Sequence, residues 1–298
     1  MIYCLVDMMN LLYRTAWTLQ DLRNQETGVK SGHAYGSLDI LRSLKARYSI
    51  DKLILVWDSK LPEDSPDRYK AGRAETDLRR FVESVADEFH VQMQSLGFSC
   101  LKLVPVEADY LIAFHVRQLV EQGNNSNNIY IYSTDRDFYC LTDMATIIYP
   151  KRGGDVFIKE KEAIDFFRGT PVSRIPIFRA FTGDSSDNLK GPPRLPRDKL
   201  VKMINHADDK TIIEKLKVLE GLFFRPFFSS KHVANILSLS DQIIENYSLS
   251  NIRKMEIPEE MVVTKEADQF KIDQGTADFL NYFGIKEFTP SKVASLVS

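Results

Sequence analysis

The chain has 298 residues, 44% hydrophobic and 27% charged, with a formal net charge of −2; that is enough apolar material for a full core without disulfide or metal staples. Its N-terminal MIYCLVDMMN has no basic stretch and only five apolar residues before Asp7, so neither a signal peptide nor a membrane span is expected there. Three cysteines, Cys4, Cys100 and Cys140, odd in number and widely spaced, suit a reducing compartment better than a secreted disulfide framework, so the cytoplasm is expected.

Ile2 to Val6 is a β-rich run that ends at Asp7. Leu38, Leu41, Leu44 and Tyr48 recur at helical spacing, and a second strand-like run, Leu53 to Trp57, ends before Asp58. A third run, Cys100 to Val106, leads into Glu107 and Asp109, and helical spacing returns at Leu111, Ile112, His115, Val116 and Leu119. The polar Gly123 to Asn128 is a loop, after which Ile129 to Tyr132 forms a fourth run shortly before Asp135. Thr146 to Tyr149 and Val156 to Ile158, joined across Lys151, Arg152, Gly153 and Gly154, read as a hairpin edge. Beyond about residue 180 strand signals fade, and the remainder is helical with prolines at 192, 193 and 196. Val233, Ile236, Leu237, Ile243, Ile244 and Tyr247 fit amphipathic helices, and Thr276 to Phe283 fits a last packed helix. Leu222, Phe223, Phe224, Phe227 and Phe228 read as core, with a surface for replication proteins as the other reading.

Alternating strands and helices predict an α/β fold on a mostly parallel sheet flanked by helices. Ligands of such sheets bind beyond the carboxyl ends of the strands. The acids fall there, so Asp7, Asp58, Glu107, Asp109, Asp135, Asp137, Asp184 and Asp187 are expected to converge. Two carboxylates ~4 Å apart repel by about 4 kcal/mol at an effective dielectric near 20, so such a cluster calls for cations. Hard oxygen ligands favour Mg²⁺ or Mn²⁺, and two ions roughly 3.5 to 4 Å apart suit phosphodiester hydrolysis. The histidines at 33, 90, 115, 206 and 232 form no metal or triad spacing and receive no catalytic role. A near-zero net charge argues against a nucleic-acid partner, but an acidic site can mask segregated basic patches.

Two such patches exist. DRYKAGRAETDLRR, Asp67 to Arg80, carries five basic residues and a tyrosine; Lys190, Arg194, Arg197, Lys199 and Lys202 form a second run with Asp198 as its only acid.

VDMMNLLYR, the run before Asp58, DRYKAGR, VEADYLIA, STDRDF and FTGDSSDN resemble, in order, the successive motifs of the 5′-nuclease family. That family includes the 5′-nuclease domain of bacterial DNA polymerase I, eukaryotic flap endonucleases, and phage 5′-exonucleases such as the ribonuclease H of T-even phages. The resemblance spans residues 1 to about 200. It implies a PIN-like catalytic domain over 1–180, with a helical arch at about 74–97, and a helical, helix-hairpin-helix-like DNA-binding region over 181–298. It implies that the eight acids ligate two metals, Mg²⁺ or Mn²⁺. It also implies that Tyr69 stacks a base, Lys70 offsets charge on the scissile phosphate and Arg73 holds an adjacent phosphate, with Arg68 beside them on the DNA. Lys190, Arg194, Arg197, Lys199 and Lys202 would grip the duplex. The chain departs from the family at Tyr110, where EADD is usual, and at Gly191 to Pro196, where only the first hairpin glycine survives. Proline donates no backbone hydrogen bond, so a potassium site is not expected and side chains take over the phosphate contacts. The expected partners are branched or 5′-flapped DNA, RNA–DNA hybrid and other replication proteins. The protein would be a monomer without membrane attachment. A catalytically weakened protein that binds branched DNA is the alternative, prompted by Tyr110 and the lost glycines.

Overall fold

The computed structural model describes residues 1–59, 75–185, 187–257 and 269–297. Six strands form the main sheet: β1 (Tyr3–Asp7), β2 (Lys52–Val56), β3 (Ser99–Leu101), β4 (Ile129–Tyr132), β5 (Thr146–Lys151) and β6 (Gly154–Ile158). Their order is β3-β2-β1-β4-β5-β6, and every neighbouring pair is parallel except β5 with β6. The chain winds outward from β1 in both directions, so a crevice opens between the carboxyl ends of β1 and β4. Asp7 pairs with Val56 of β2, and Val6 with Tyr132 of β4. That register carries the segments just after β2 and β4 to the level of Asp7.

Helices cover both faces. The first four are α1 (Met8–Thr18), α2 (Gly32–Tyr48), α3 (Asp77–Ser95) and α4 (Ala108–Glu121). After the sheet come α5 (Glu160–Phe166) and α6 (Ile175–Thr182), then a two-strand turn of β7 (Gly183–Asp184) and β8 (Leu189–Lys190). The remainder is α7 (Arg197–His206), α8 (Asp209–Lys217), α9 (Gly221–Phe224), α10 (Ser230–Ser238), α11 (Ser240–Ser250), α12 (Gln269–Phe283) and α13 (Pro290–Val297).

Alternation along the central strands sends Cys4, Val6, Leu55 and Trp57 into one core and Leu5, Ile54 and Val56 into the other. The first core is completed by Leu12, Leu41 and Phe89 and by Phe279, Phe283 and Val293 near the C-terminus. The second holds Ile112 of α4, Phe181 of α6, Leu200 of α7, Ile212 of α8 and Ile243 of α11. The helices after residue 180 therefore divide between the two faces, and α12 and α13 return to the sheet core.

Three local expectations change and one holds. Of Cys100 to Val106 only the start is strand, since β3 ends at Leu101. Of the stretch expected as an arch, residues 77–95 form α3, whose Val82, Phe89 and Met93 are buried; its inner face is scaffold because those apolar side chains recur at helical spacing. Leu222 is two-thirds exposed while Phe224 and Phe228 are buried, so that aromatic cluster is mostly core. The last helix is α13, beyond the expected 276–283 element.

The β7–β8 turn leaves no room at its ends. Gly183 has φ +72°, and a Cβ at Gly191 would stand 2.1 Å from the Phe181 carbonyl oxygen, a distance no pair of non-bonded atoms tolerates. Gly191→Ala is expected to lower the urea midpoint, by about 1–3 kcal/mol of stability; an unchanged midpoint would mean that the backbone here shifts freely.

Candidate active site

Asp7 ends β1 and caps α1, its Oδ1 accepting the Asn10 backbone N–H at 3.1 Å. Its Oδ2 accepts from the Ser133 hydroxyl at 2.8 Å, and that hydroxyl accepts in turn from the Asp135 N–H at 3.0 Å. The Asn10 side chain locks the same loop: its Nδ2 donates to Thr134 Oγ1 at 2.7 Å and its Oδ1 accepts the Thr134 N–H at 3.2 Å. Asp7 and Asp135 are thus held across the crevice by neutral partners. Burial, and then the charges of Asp58 and Asp135, outweigh the Asn10 and Ser133 hydrogen bonds and push the Asp7 carboxyl up to about 7.

Asp58 follows β2 and accepts the Ala108 N–H at 2.7 Å, capping α4 from outside. Glu107, itself buried, is the residue before that helix, and Asp109 lies in its first turn. The positive end of the α4 dipole favours all three charges. The Tyr110 hydroxyl donates to the Leu249 carbonyl of α11 at 3.0 Å. Burial, then the neighbouring Glu107, Asp109, Asp137 and Asp187, hold this phenol well above its ordinary range, so it stays neutral.

Asp137 opens a short 3₁₀ turn after β4, its N–H donating to Asp135 Oδ1 at 2.9 Å. Burial, then Asp135, raise its carboxyl well above the ordinary range against the pull of Arg179. Arg179 of α6 ion-pairs with both Asp137 and Asp184, and its side chain is 10% exposed. Asp184 lies in β7 and Asp187, buried, in the turn to β8. Asn246 of α11, fully buried, fixes this turn from behind: its Nδ2 donates to the Ala180 carbonyl at 3.1 Å and to the Lys190 carbonyl at 2.9 Å.

The structure therefore links six of the acids by charge, Asp7, Asp58, Asp135, Asp137, Asp184 and Asp187, and sets Glu107 and Asp109 beside Tyr110. Asp7 feels Asp58 and Asp135; Asp137 feels Asp135, Asp184 and Asp187; Tyr110 feels Glu107 and Asp109 together with Asp137 and Asp187. Among the described residues, however, no three His, Cys, Asp or Glu side chains are arranged to hold a metal ion. A guanidinium sits between Asp137 and Asp184. The Asp7, Asp58 and Asp135 side offers hard oxygen donors of the kind a hard cation takes, and burial, then the charges of Asp58 and Asp135, push the Asp7 carboxyl upward.

A cleft of about 750 Å³ adjoins the acids, lined among others by Asn10, Asp135, Arg136, Arg179, Asp184 and Arg197. Arg136 lies over the half-exposed Phe166 ring, 5.0 Å from its centroid. Lys190, Arg194, Arg197, Lys199 and Lys202 are all exposed, and Arg197 joins this basic run to the cleft. Arg68, Tyr69, Lys70 and Arg73 lie outside the described residues. Sequence reasoning missed Arg179, Asn10, Ser133 and Asn246. Arg179 alone carried a signal, as the one charge within the otherwise apolar IPIFRAFT of α6.

An acid-lined crevice at the switch point of a mostly parallel sheet, with a basic run at its mouth, defines a nuclease. The chain belongs to the family described as 5′-3′ exonuclease, N-terminal resolvase-like domain, which it matches over residues 2–167; it is a 5′-nuclease and a hydrolase. It is 25% identical over 261 residues to the 5′-3′ exonuclease of Buchnera aphidicola subsp. Schizaphis graminum, covering 85% of this chain and 86% of that one. It is 27% identical over 263 residues to the thermostable DNA polymerase I of Thermus aquaticus, covering 84% of this chain but 28% of the polymerase. Its fold is similar to that of T5 D15 protein co-crystallised with metal ions, with TM-score 0.65, 17% identity and 99% of each chain covered. Human GEN1 in complex with Holliday junction DNA gives TM-score 0.60 at 12% identity, covering 99% of this chain and 70% of that one.

The Asp7 carboxyl sets a pH dependence. Its folded value, about 7, lies above the ordinary 3.8, so its contribution is fully stabilising below about 3.8 and is lost as pH rises to about 7. Without divalent ions, thermal melts should show the melting temperature falling across that window. Asp7→Asn should flatten the fall and raise the value at pH 8, by roughly 2–4 °C per 1 kcal/mol of repulsion relieved. A variant with the parent's slope would show that Asp7 is not under this strain.

Proposed function

We propose that the chain hydrolyses phosphodiester bonds at 5′ flaps and ends of branched DNA, and of RNA paired to DNA, using two divalent cations, Mg²⁺ or Mn²⁺. Asp7, Asp58, Glu107, Asp109, Asp135, Asp137, Asp184 and Asp187 would hold them. The observation that carries this reading is the charge coupling of Asp7 with Asp58 and Asp135, residues that end or follow three adjacent parallel strands. Bound divalent ions supply a water acidic enough to attack at neutral pH and a sink for charge on the leaving oxygen. The chain's own residues orient that chemistry. Ser133 and Asn10 fix the Asp7 and Asp135 loops, and the amino ends of α1 and α4 receive negative charge. Lys190, Arg194, Arg197, Lys199 and Lys202 take duplex phosphates. Tyr69 stacks a base, and Arg68, Lys70 and Arg73 meet phosphates near the cut. The split into a catalytic part, 1–180, and a DNA-binding part drawn from 181–298 follows from these roles. Similar structures support the reading: T5 D15 flap endonuclease was solved as a pseudo-enzyme–product complex with DNA and metal ions, and the Rad2 catalytic core with a DNA substrate.

The three cysteines are free and buried, and among the described residues no helix is long and apolar enough to cross a membrane. A monomer acting in the cytoplasm, alongside other replication proteins, suits both facts.

A 5′-flap duplex with Mg²⁺ tests the reading. Cleavage should appear with Mg²⁺ and vanish with chelator, and Asp135→Asn should bind the flap yet lose more than the roughly 100-fold that changes behind a metal ligand can reach. Binding without metal-dependent cleavage would favour a DNA-binding protein instead.

Arg194→Ala with Arg197→Ala should weaken duplex binding and flatten its log–log salt dependence by about 0.9 for each phosphate no longer neutralised. A slope that does not move would place these side chains off the backbone.

A further inference from the structure

The acidic crevice holds a cation of its own. Arg179 reaches from α6 into the pocket, pairs with Asp137 and with Asp184, and is 10% exposed, against 12% for Asp137 and 20% for Asp184. Its Nε is buried without a hydrogen-bond partner. A guanidinium that existed only to brace two elements would be expected to satisfy all its donors, since an orphaned buried donor costs about 1–3 kcal/mol. Here the side chain is held chiefly by charge. Asp135 and Asp187 add to the field that keeps it protonated.

We infer that Arg179 is a built-in counter-cation that occupies the Asp137 and Asp184 side of the pocket and competes there with divalent metal, making it a positioning residue that sets how tightly the second ion binds. The inference rests on the proposed reading of the acids as metal ligands. Three observations carry it. The two carboxylates it bridges come from separate elements, the turn after β4 and strand β7, so it closes that side of the pocket as a shared cation would. Asp135 and Asp187 act on Arg179 as they act on Asp137, so the guanidinium sits where the fields of several carboxylates add. Finally, Arg179 lines the open cleft beside Asp135 and Asp184, so when a metal enters, the guanidinium has a solvated space to move into.

The expected signs follow from electrostatics. Removing a positive charge paired directly with two carboxylates strengthens the attraction of that site for a divalent ion, and on the order of tenfold or more is expected even with strong screening. The same change leaves the acids unneutralised and lowers metal-free stability. A role in bracing alone would lower stability too, but would not tighten metal binding.

The test is calorimetric titration of the full chain with Mn²⁺, in the absence of DNA, together with thermal melts with and without Mn²⁺. Arg179→Gln should bind the weaker ion about tenfold more tightly than the parent, melt lower without metal, and gain more on metal addition. Arg179→Lys, which keeps the charge but cannot bridge both carboxylates as a fork, should fall between the two; if the Gln variant does not fold, the Lys variant alone should still bind Mn²⁺ more tightly than the parent. Unchanged or weaker Mn²⁺ binding in the folded variants overturns the inference. Absence of Mn²⁺ binding by the parent, with Asp7→Asn as control, would instead overturn the metal-ligand reading beneath it.

Discussion

Electrostatic repulsion at the carboxyl ends of the central strands is the constraint around which this molecule is organised. The register of β1 against β2 and β4 brings Asp7 beside Asp58 and Asp135, and a low-dielectric interior magnifies their mutual cost. Several devices offset it. Asp7 takes hydrogen bonds from Asn10 and Ser133, Asp58 takes the Ala108 N–H at the start of α4, and Asp137 and Asp184 share Arg179. Burial, and then the neighbouring carboxylates, still raise the Asp7 and Asp137 carboxyls. Perturbed acids in a cleft mark a place where binding another cation is favourable.

Much of this is legible in the sequence because strand ends and acids coincide there. Apolar runs stopping at Asp7 and Asp58 fix both a strand and the place of an acid at its end, and a parallel sheet converts that coincidence into proximity. The hairpin across Lys151 to Gly154 is equally plain, since its two glycines and flanking alternation belong to local chain geometry. The partners of the acids are not legible. Ser133 and Asn10 are ordinary polar residues until the register of β1 against β4 sets them 2.8 Å from Asp7 and 2.7 Å from Thr134 respectively. Asn246 lies 66 residues from Ala180, the carbonyl it binds, and no local pattern announces such a contact.

The division of the helices between the two faces escapes the sequence for a related reason. Amphipathic spacing tells which face of a helix is buried, never against what. Val82, Phe89 and Met93 give α3 an inner face, yet only the fold shows that face meeting the first core, where Phe279 and Phe283 of α12 also sit. Chain order suggests a separate C-terminal region, whereas burial returns its last two helices to the sheet. The helices between carry the basic run and, through Asn246, hold the β7–β8 turn that presents Asp184 and Asp187.

Two features that lower negative charge fall on one side of the pocket. Tyr110 is neutral where the family's motif usually has a second aspartate, and it lies in the field of Asp137 and Asp187; Arg179 pairs with Asp137 and Asp184. A phenol in place of an anion and a guanidinium between carboxylates both reduce negative charge among the same three aspartates. On the opposite side, Asp7 takes its hydrogen bonds from a backbone N–H and a hydroxyl and Asp58 from a backbone N–H. Such neutral donors soften repulsion without cancelling charge, and the Asp7 carboxyl there is pushed up to about 7. A pocket so divided carries unequal negative charge on its two sides, because the field at one of them has been partly neutralised by an arginine.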